Sequence, residues 1–118
     1  VPVANTNAVP VHESMWKTEK YRDPGENTGL LLIKRDTGFR GSACVPGISI
    51  DGEDIAPIDV GQKLELHLNP GQYLLRATPN FNCAARVAEI LVEIGAANTT
   101  SYRLSFINKN MVWMPSAD

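Results

Sequence analysis

The sequence predicts an all-β protein, a two-sheet antiparallel β-sandwich of about seven short strands with an extended N-terminal arm. Two observations point to this class. From Gly29 onward the chain breaks into short runs rich in aliphatic and β-branched residues, each bounded by Gly, Pro, Asn or Asp. Within those runs apolar and polar residues alternate with period 2, as a strand with one buried face requires. At 118 residues the chain fits one domain with one core.

Residues 1–28 form the arm and 29–118 the sandwich. The arm holds three of the eight prolines and has no sustained period-2 pattern. Val1 to Pro10 reads as extended or mobile, and "HESMWKTEKYR" as a short helix stopped by Asp23-Pro24-Gly25. The strands follow as "LLLIKR" (30–35), "GISI" (47–50), "EDIAPI" (53–58), "KLELHL" (63–68), "QYLLRATP" (72–79), "RVAEILVEI" (86–94) and "SYRLSFIN" (101–108), with a last piece "MVWM" (111–114) expected to dock on a sheet edge. Leu64, Leu66 and Leu68 face inward against Glu65 and His67. Tyr102, Leu104 and Phe106 do the same against Arg103 and Ser105, as do Ala88, Ile90, Val92 and Ile94 against Glu89, Leu91 and Glu93. Asp51-Gly52 fits a type I′ hairpin, and Asn69-Pro70-Gly71 a type II hairpin with Pro at the first central position and Gly at the second.

Successive strands joined by short connections run antiparallel. Following them up and down brings the loop 36–46 and the loop 80–85 to one end, so Cys44 and Cys83 meet there. Thirty-eight residues lie between the two cysteines, and closing a loop of that size is worth about 4 kcal/mol in the chain-entropy account. A Cys44–Cys83 disulfide is therefore favoured over two semi-buried thiols. A nucleophilic Cys44 would need a nearby base, and neither histidine of the chain falls near it on the strand count.

Other chemistry finds little support. "VHESMW" has one histidine, His12, and Trp16 where a zinc-protease helix needs its second; with His67 on a polar strand face, no metal site and no cofactor are expected. "GFRGSAC" lacks the Gly-Lys-Ser/Thr of a phosphate loop. Asp51, Glu53, Asp54 and Asp59 stand in or beside turns, where carboxylates are ordinary turn formers. Asn98-Thr99-Thr100 fits the N-glycosylation pattern, a tripeptide common by chance. Eleven basic residues against thirteen acidic ones argue against nucleic acid as a partner. The apolar run Leu30 to Ile33, which no other run in the chain exceeds, is far too short for a helical membrane span. The segment at Val1 has neither a basic n-region nor an apolar h-region, so any signal peptide is expected to have been removed, and the envelope reading leaves room for a lipid anchor upstream of Val1.

Around the cysteines the sequence gathers Arg35, Phe39, Arg40, Phe81 and Arg86. Arginine and aromatic residues are what protein interfaces favour, so Phe39, Arg40, Phe81 and Arg86 are the candidate protein-binding residues. The alternative is that Phe39 and Phe81 cap the core while the arginines are solvated.

The stretch from Ile48 to Ala77 carries Ile50-Asp51-Gly52, Gly61, Pro70-Gly71 and Tyr73 in succession. In this turn plan it resembles the PEGA-like β-sandwich modules of bacterial envelope proteins and related lipoprotein domains, although it has no Pro-Glu-Gly-Ala element. The resemblance implies a non-catalytic, envelope-associated module with no catalytic residues to carry over. The expectation taken from the whole chain is a periplasmic or extracellular protein that binds a protein partner in the envelope. A small inhibitor or immunity protein, blocking an enzyme with its loop end, is the alternative.

Overall fold

The computed structural model describes residues 1–37, 44–81 and 83–117. Nine strands lie among them: β1 (Val9–Pro10), β2 (Gly29–Arg35), β3 (Gly47–Ile50), β4 (Glu53–Pro57), β5 (Gln62–Leu68), β6 (Gly71–Thr78), β7 (Ala88–Ile94), β8 (Thr99–Ile107) and β9 (Asn110–Pro115). They form two sheets, β1-β5-β2-β8-β9 and β4-β3-β6-β7, packed face to face as a sandwich.

The alternating residues supply the layer between the sheets. Leu31, Ile33, Leu64, Leu66, Leu68 and Leu104 from the first sheet meet Ile48, Ile50, Ile55, Leu75, Val92 and Ile94 from the second. Burying each of these aliphatic side chains stabilises the fold by roughly 1.5–3 kcal/mol before chain entropy is counted. Asp51 and Gly52 both take positive φ, 49° and 83°, the type I′ signature of a hairpin joining β3 to β4. Asn108 and Lys109 do the same between β8 and β9.

Three expectations need correction. The sandwich is not wholly antiparallel: β2 and β8 pair in parallel, as do β1 and β5. The β2–β8 pairing joins segments far apart in the chain, so no turn motif announces it. Asn69-Pro70-Gly71 does not make a hairpin, because β5 lies in the first sheet between β1 and β2 whereas β6 lies in the second. It is a corner between sheets, and Gly71 sits at φ 154°, far from the φ of about +80° a type II turn demands. The short helix shrinks to one 3-10 turn, Glu13–Met15, capped by the His12 ring, which accepts from the Ser14 backbone N–H.

The first 28 residues are woven into the body. Val9 and Val11 donate to the Gly61 and Lys63 carbonyls on the edge of β5, Lys17 donates to the Ile55 carbonyl of β4, and Tyr21 accepts from the His67 N–H. This segment thus closes the side of the sandwich where β5 and β4 would present open edges. Trp113 closes the opposite side: it is buried, and its indole N–H donates to the Ala88 carbonyl at 3.1 Å. That agrees with the docking expected for the last strand.

Candidate functional site

The up-and-down path of the strands gives the molecule two ends. The end carrying the tops of β2, β4, β6 and β8 holds the disulfide, Cys44–Cys83, with a Cα–Cα separation of 4.8 Å. The pairing read from strand parity is therefore present.

Arg35 anchors the base of this end, and its role differs from the solvated one considered above. In β2 it shares the inward parity of Leu31 and Ile33, so its side chain enters the mouth of the core and is only 1% exposed. Its guanidinium donates to the carbonyls of Cys44 and Ile58 and stands 5.0 Å from the Phe106 ring centroid. Burial pulls the Arg35 pKa below its ordinary value, and Asp59 partly opposes this. A buried cation needs such partners. Arg35 thus ties the cysteine loop to the β4–β5 connection from beneath, while the Val45 N–H donates to the Asn80 Oδ1 and links the two disulfide-bearing segments a second time.

On this base the candidate binding residues divide. Phe81 is 95% exposed and does not cap the core, and Arg86 is also exposed. Phe39 and Arg40 lie outside the described residues. Beside the loops, a recess of about 360 Å³ is lined by Val45, Ile48, Pro57, Thr78 and Asn80. It adjoins the cysteine loop at the top of the second sheet.

The opposite end holds a feature that sequence reasoning missed. Residues 20–28 fold back beside the Asp51-Gly52 hairpin, and a cleft of about 590 Å³ opens between Lys20, Tyr21, Asp51, Glu53, His67 and Tyr73. Its polar groups are largely spoken for. Tyr21 donates to the Glu53 Oε1 at 2.9 Å, Lys20 lies 3.4 Å from the same oxygen, Tyr73 donates to the Asn69 carbonyl, and Asp51 Oδ1 accepts from the Leu74 N–H. Asp51 is the turn former the sequence suggested, whereas Glu53 is a tyrosine acceptor. The missing signal was long-range: nothing local says that Tyr21 lands on Glu53.

His12 and His67 are not brought into a ligand set, and among the described residues no group of three or more His, Cys, Asp or Glu could hold a metal ion. No helix of the described residues is long and apolar enough to cross a membrane.

No protein-family model and no curated protein matches the chain. Among solved structures, an NMR structure of a protein from Eubacterium rectale resembles it with a TM-score of 0.55, covering 81% of this chain and 95% of that one at 11% identity. A likeness at that identity concerns the fold, and it supports the two-sheet architecture reached from the residues.

Proposed function

We propose that this chain is a non-catalytic, extracytoplasmic β-sandwich protein that works by binding another protein of the bacterial envelope through its disulfide-bearing end. The observation that carries the reading is Phe81, a large aromatic left 95% exposed two residues from Cys83. Water contact over a whole phenyl ring is unfavourable, and a buried cation and a cross-link hold the loops beneath it. Segments tied down by the Cys44–Cys83 bond and the Val45–Asn80 hydrogen bond lose less conformational freedom on binding than free ones. The disulfide favours an oxidising compartment, and the resemblance of the turn plan to PEGA-like modules is what suggests the envelope. The same cross-linked base suits the second reading, an inhibitor or immunity protein that presses this end into an enzyme.

A photoreactive phenylalanine analogue placed at Phe81 tests the proposal. We expect one dominant cross-linked envelope protein from position 81 and none when the analogue replaces Gln72, exposed at the other end. Identification of the adduct as an enzyme that the chain inhibits would favour the second reading. Equal cross-linking from both positions, or none from either, would overturn the assignment of this end.

A further inference from the structure

The outer face of the first sheet carries an arrangement that neither the core nor the disulfide end explains. Parity in β2 places Leu31 and Ile33 inward, so Leu30, Leu32 and Lys34 point outward. Lys34 is nevertheless only 1% exposed. It stands in register opposite Lys63 of β5 and beside Arg103 of β8, so three cations occupy one row across three adjacent strands. Like charges set directly opposite each other destabilise a sheet, and a buried ammonium requires acceptors.

Two of those acceptors come from the N-terminal arm. Lys34 Nζ donates to the Val3 carbonyl at 2.9 Å and Lys63 Nζ to the Asn5 carbonyl at 3.1 Å. Upstream, Thr37 donates its backbone N–H to the Val1 carbonyl. Downstream, the arm turns at residues 4–8 and joins the edge of β5 as the two-residue parallel strand β1. Nearby acids reach parts of the row, with Glu65 3.6 Å from Lys63 Nζ and Asp36 paired with Arg103. Val1, Pro2, Thr6, Asn7, Val9 and Pro10 remain exposed. Main-chain groups of the arm take part in fastening it here: the carbonyls of Val1, Val3 and Asn5 accept, and the N–H groups of Val9 and Val11 donate.

We infer that this row and the neighbouring β5 edge form a binding site for an extended acidic peptide segment, and that residues 1–10 occupy the site as an internal stand-in. The arm displays the mode of binding: main-chain pairing along β5, as in strand addition, with acceptors delivered over Lys34 and Lys63. Carboxylates are stronger acceptors for these ammonium groups than neutral carbonyls, since charge-assisted hydrogen bonds are roughly twice as strong. What protects the site is the high effective concentration of a segment tethered to the same chain.

The test uses the full chain with the arm's grip weakened. Val9→Pro removes the N–H that donates to the Gly61 carbonyl at an exposed position, leaving the core untouched. Hexaglutamate peptide is titrated while backbone amide shifts are followed. We expect Val9→Pro to bind at least about tenfold more tightly than the parent chain, as loss of a tethered competitor implies. The shifts should fall on residues 1–11, Lys34, Gln62 and Lys63, and Lys34→Met and Lys63→Met in the Val9→Pro background should each abolish them. Equal affinity with and without Val9→Pro would overturn the inference, as would binding that survives both lysine changes. A concentration-dependent dimer of Val9→Pro that exchanges arms would also overturn it, making a second copy the occupant.

Discussion

The two ends of the sandwich are closed by different physics. At the disulfide end the chain is held by a covalent bond and a buried guanidinium that ties two loop carbonyls together. At the other end nothing is cross-linked. The chain closes through backbone proximity, where Gly29 enters β2 hard against Gly95 and Ile94, and through a tyrosine–glutamate hydrogen bond. The first end answers to redox conditions and the second to sterics and pH. A covalent closure does not loosen with thermal motion, whereas closure by fit holds only while the packing around it does.

The largest effect should come from the cross-link. Replacing both Cys44 and Cys83 by Ser is expected to lower unfolding stability by about 4 kcal/mol, from the loop-closure entropy of the segment they bracket. Denaturant titration of the double variant against the parent measures it. Arg35 and the two sheets remain, so the variant should still fold cooperatively, with fast amide exchange confined to residues near 44 and 83. A loss below about 1 kcal/mol would mean that Arg35 and the Asn80 contact already hold this end without the bond.

Gly29 probes the other end. A Cβ built there would collide with the Gly95 carbonyl oxygen and approach Ile94 Cγ2 to 2.7 Å and the Asn98 carbonyl oxygen to 3.1 Å. Two of these atoms are backbone and cannot swing away. Gly29→Ala is expected to cost about 2–3 kcal/mol, the upper range for overpacking. Gly47→Ala, where a Cβ meets nothing within 4 Å, serves as the control and should change stability little. If the two variants unfolded at the same denaturant concentration, steric closure of this end would be disproved.

The sequence made the sandwich legible because its evidence is local. Leu64, Leu66 and Leu68 alternate with polar neighbours within one strand, and Asp51-Gly52 declares its hairpin in two residues. The disulfide followed from the same local facts, since parity needs only the number of strands between two loops. What stayed hidden depends on segments distant in the chain. Lys34 and Arg35 are adjacent, and alternation sends them to opposite faces, yet one is buried by the arm and the other by the loop carbonyls of Cys44 and Ile58. A pattern cannot show cover supplied from elsewhere. One clue was present: β2 reads Leu-Leu-Leu-Ile, apolar on both faces, as a strand covered on both sides does. Its central place in the first sheet accords with that. Two of the four candidate binding residues, Phe81 and Arg86, stand exposed at the expected end, and the other two fall outside the described residues.

The smallest expected effect separates the ends by pH. Burial, and then its hydrogen bond to Glu53, raise the Tyr21 pKa above the ordinary 10.0. Lys20 beside it is also raised above 10.5, first by Tyr21 and then by Glu53. In both cases the protonated form is favoured by folding. The stability they contribute is thus fully present below the unfolded values and is lost as pH rises through the folded ones. Tyr21→Phe removes the hydroxyl common to both shifts and should cost about 1 kcal/mol at neutral pH, the net worth of one hydrogen bond. Because the variant has no phenol to ionise beside Glu53, its stability should fall less steeply than the parent's in the alkaline range, and the gap between the two should narrow. Denaturant midpoints followed from neutral pH to above the ordinary tyrosine range would measure this. Parallel curves would show that Tyr21 closes this end by packing alone, and the contrast between a redox-held and a proton-held end would then rest on sterics.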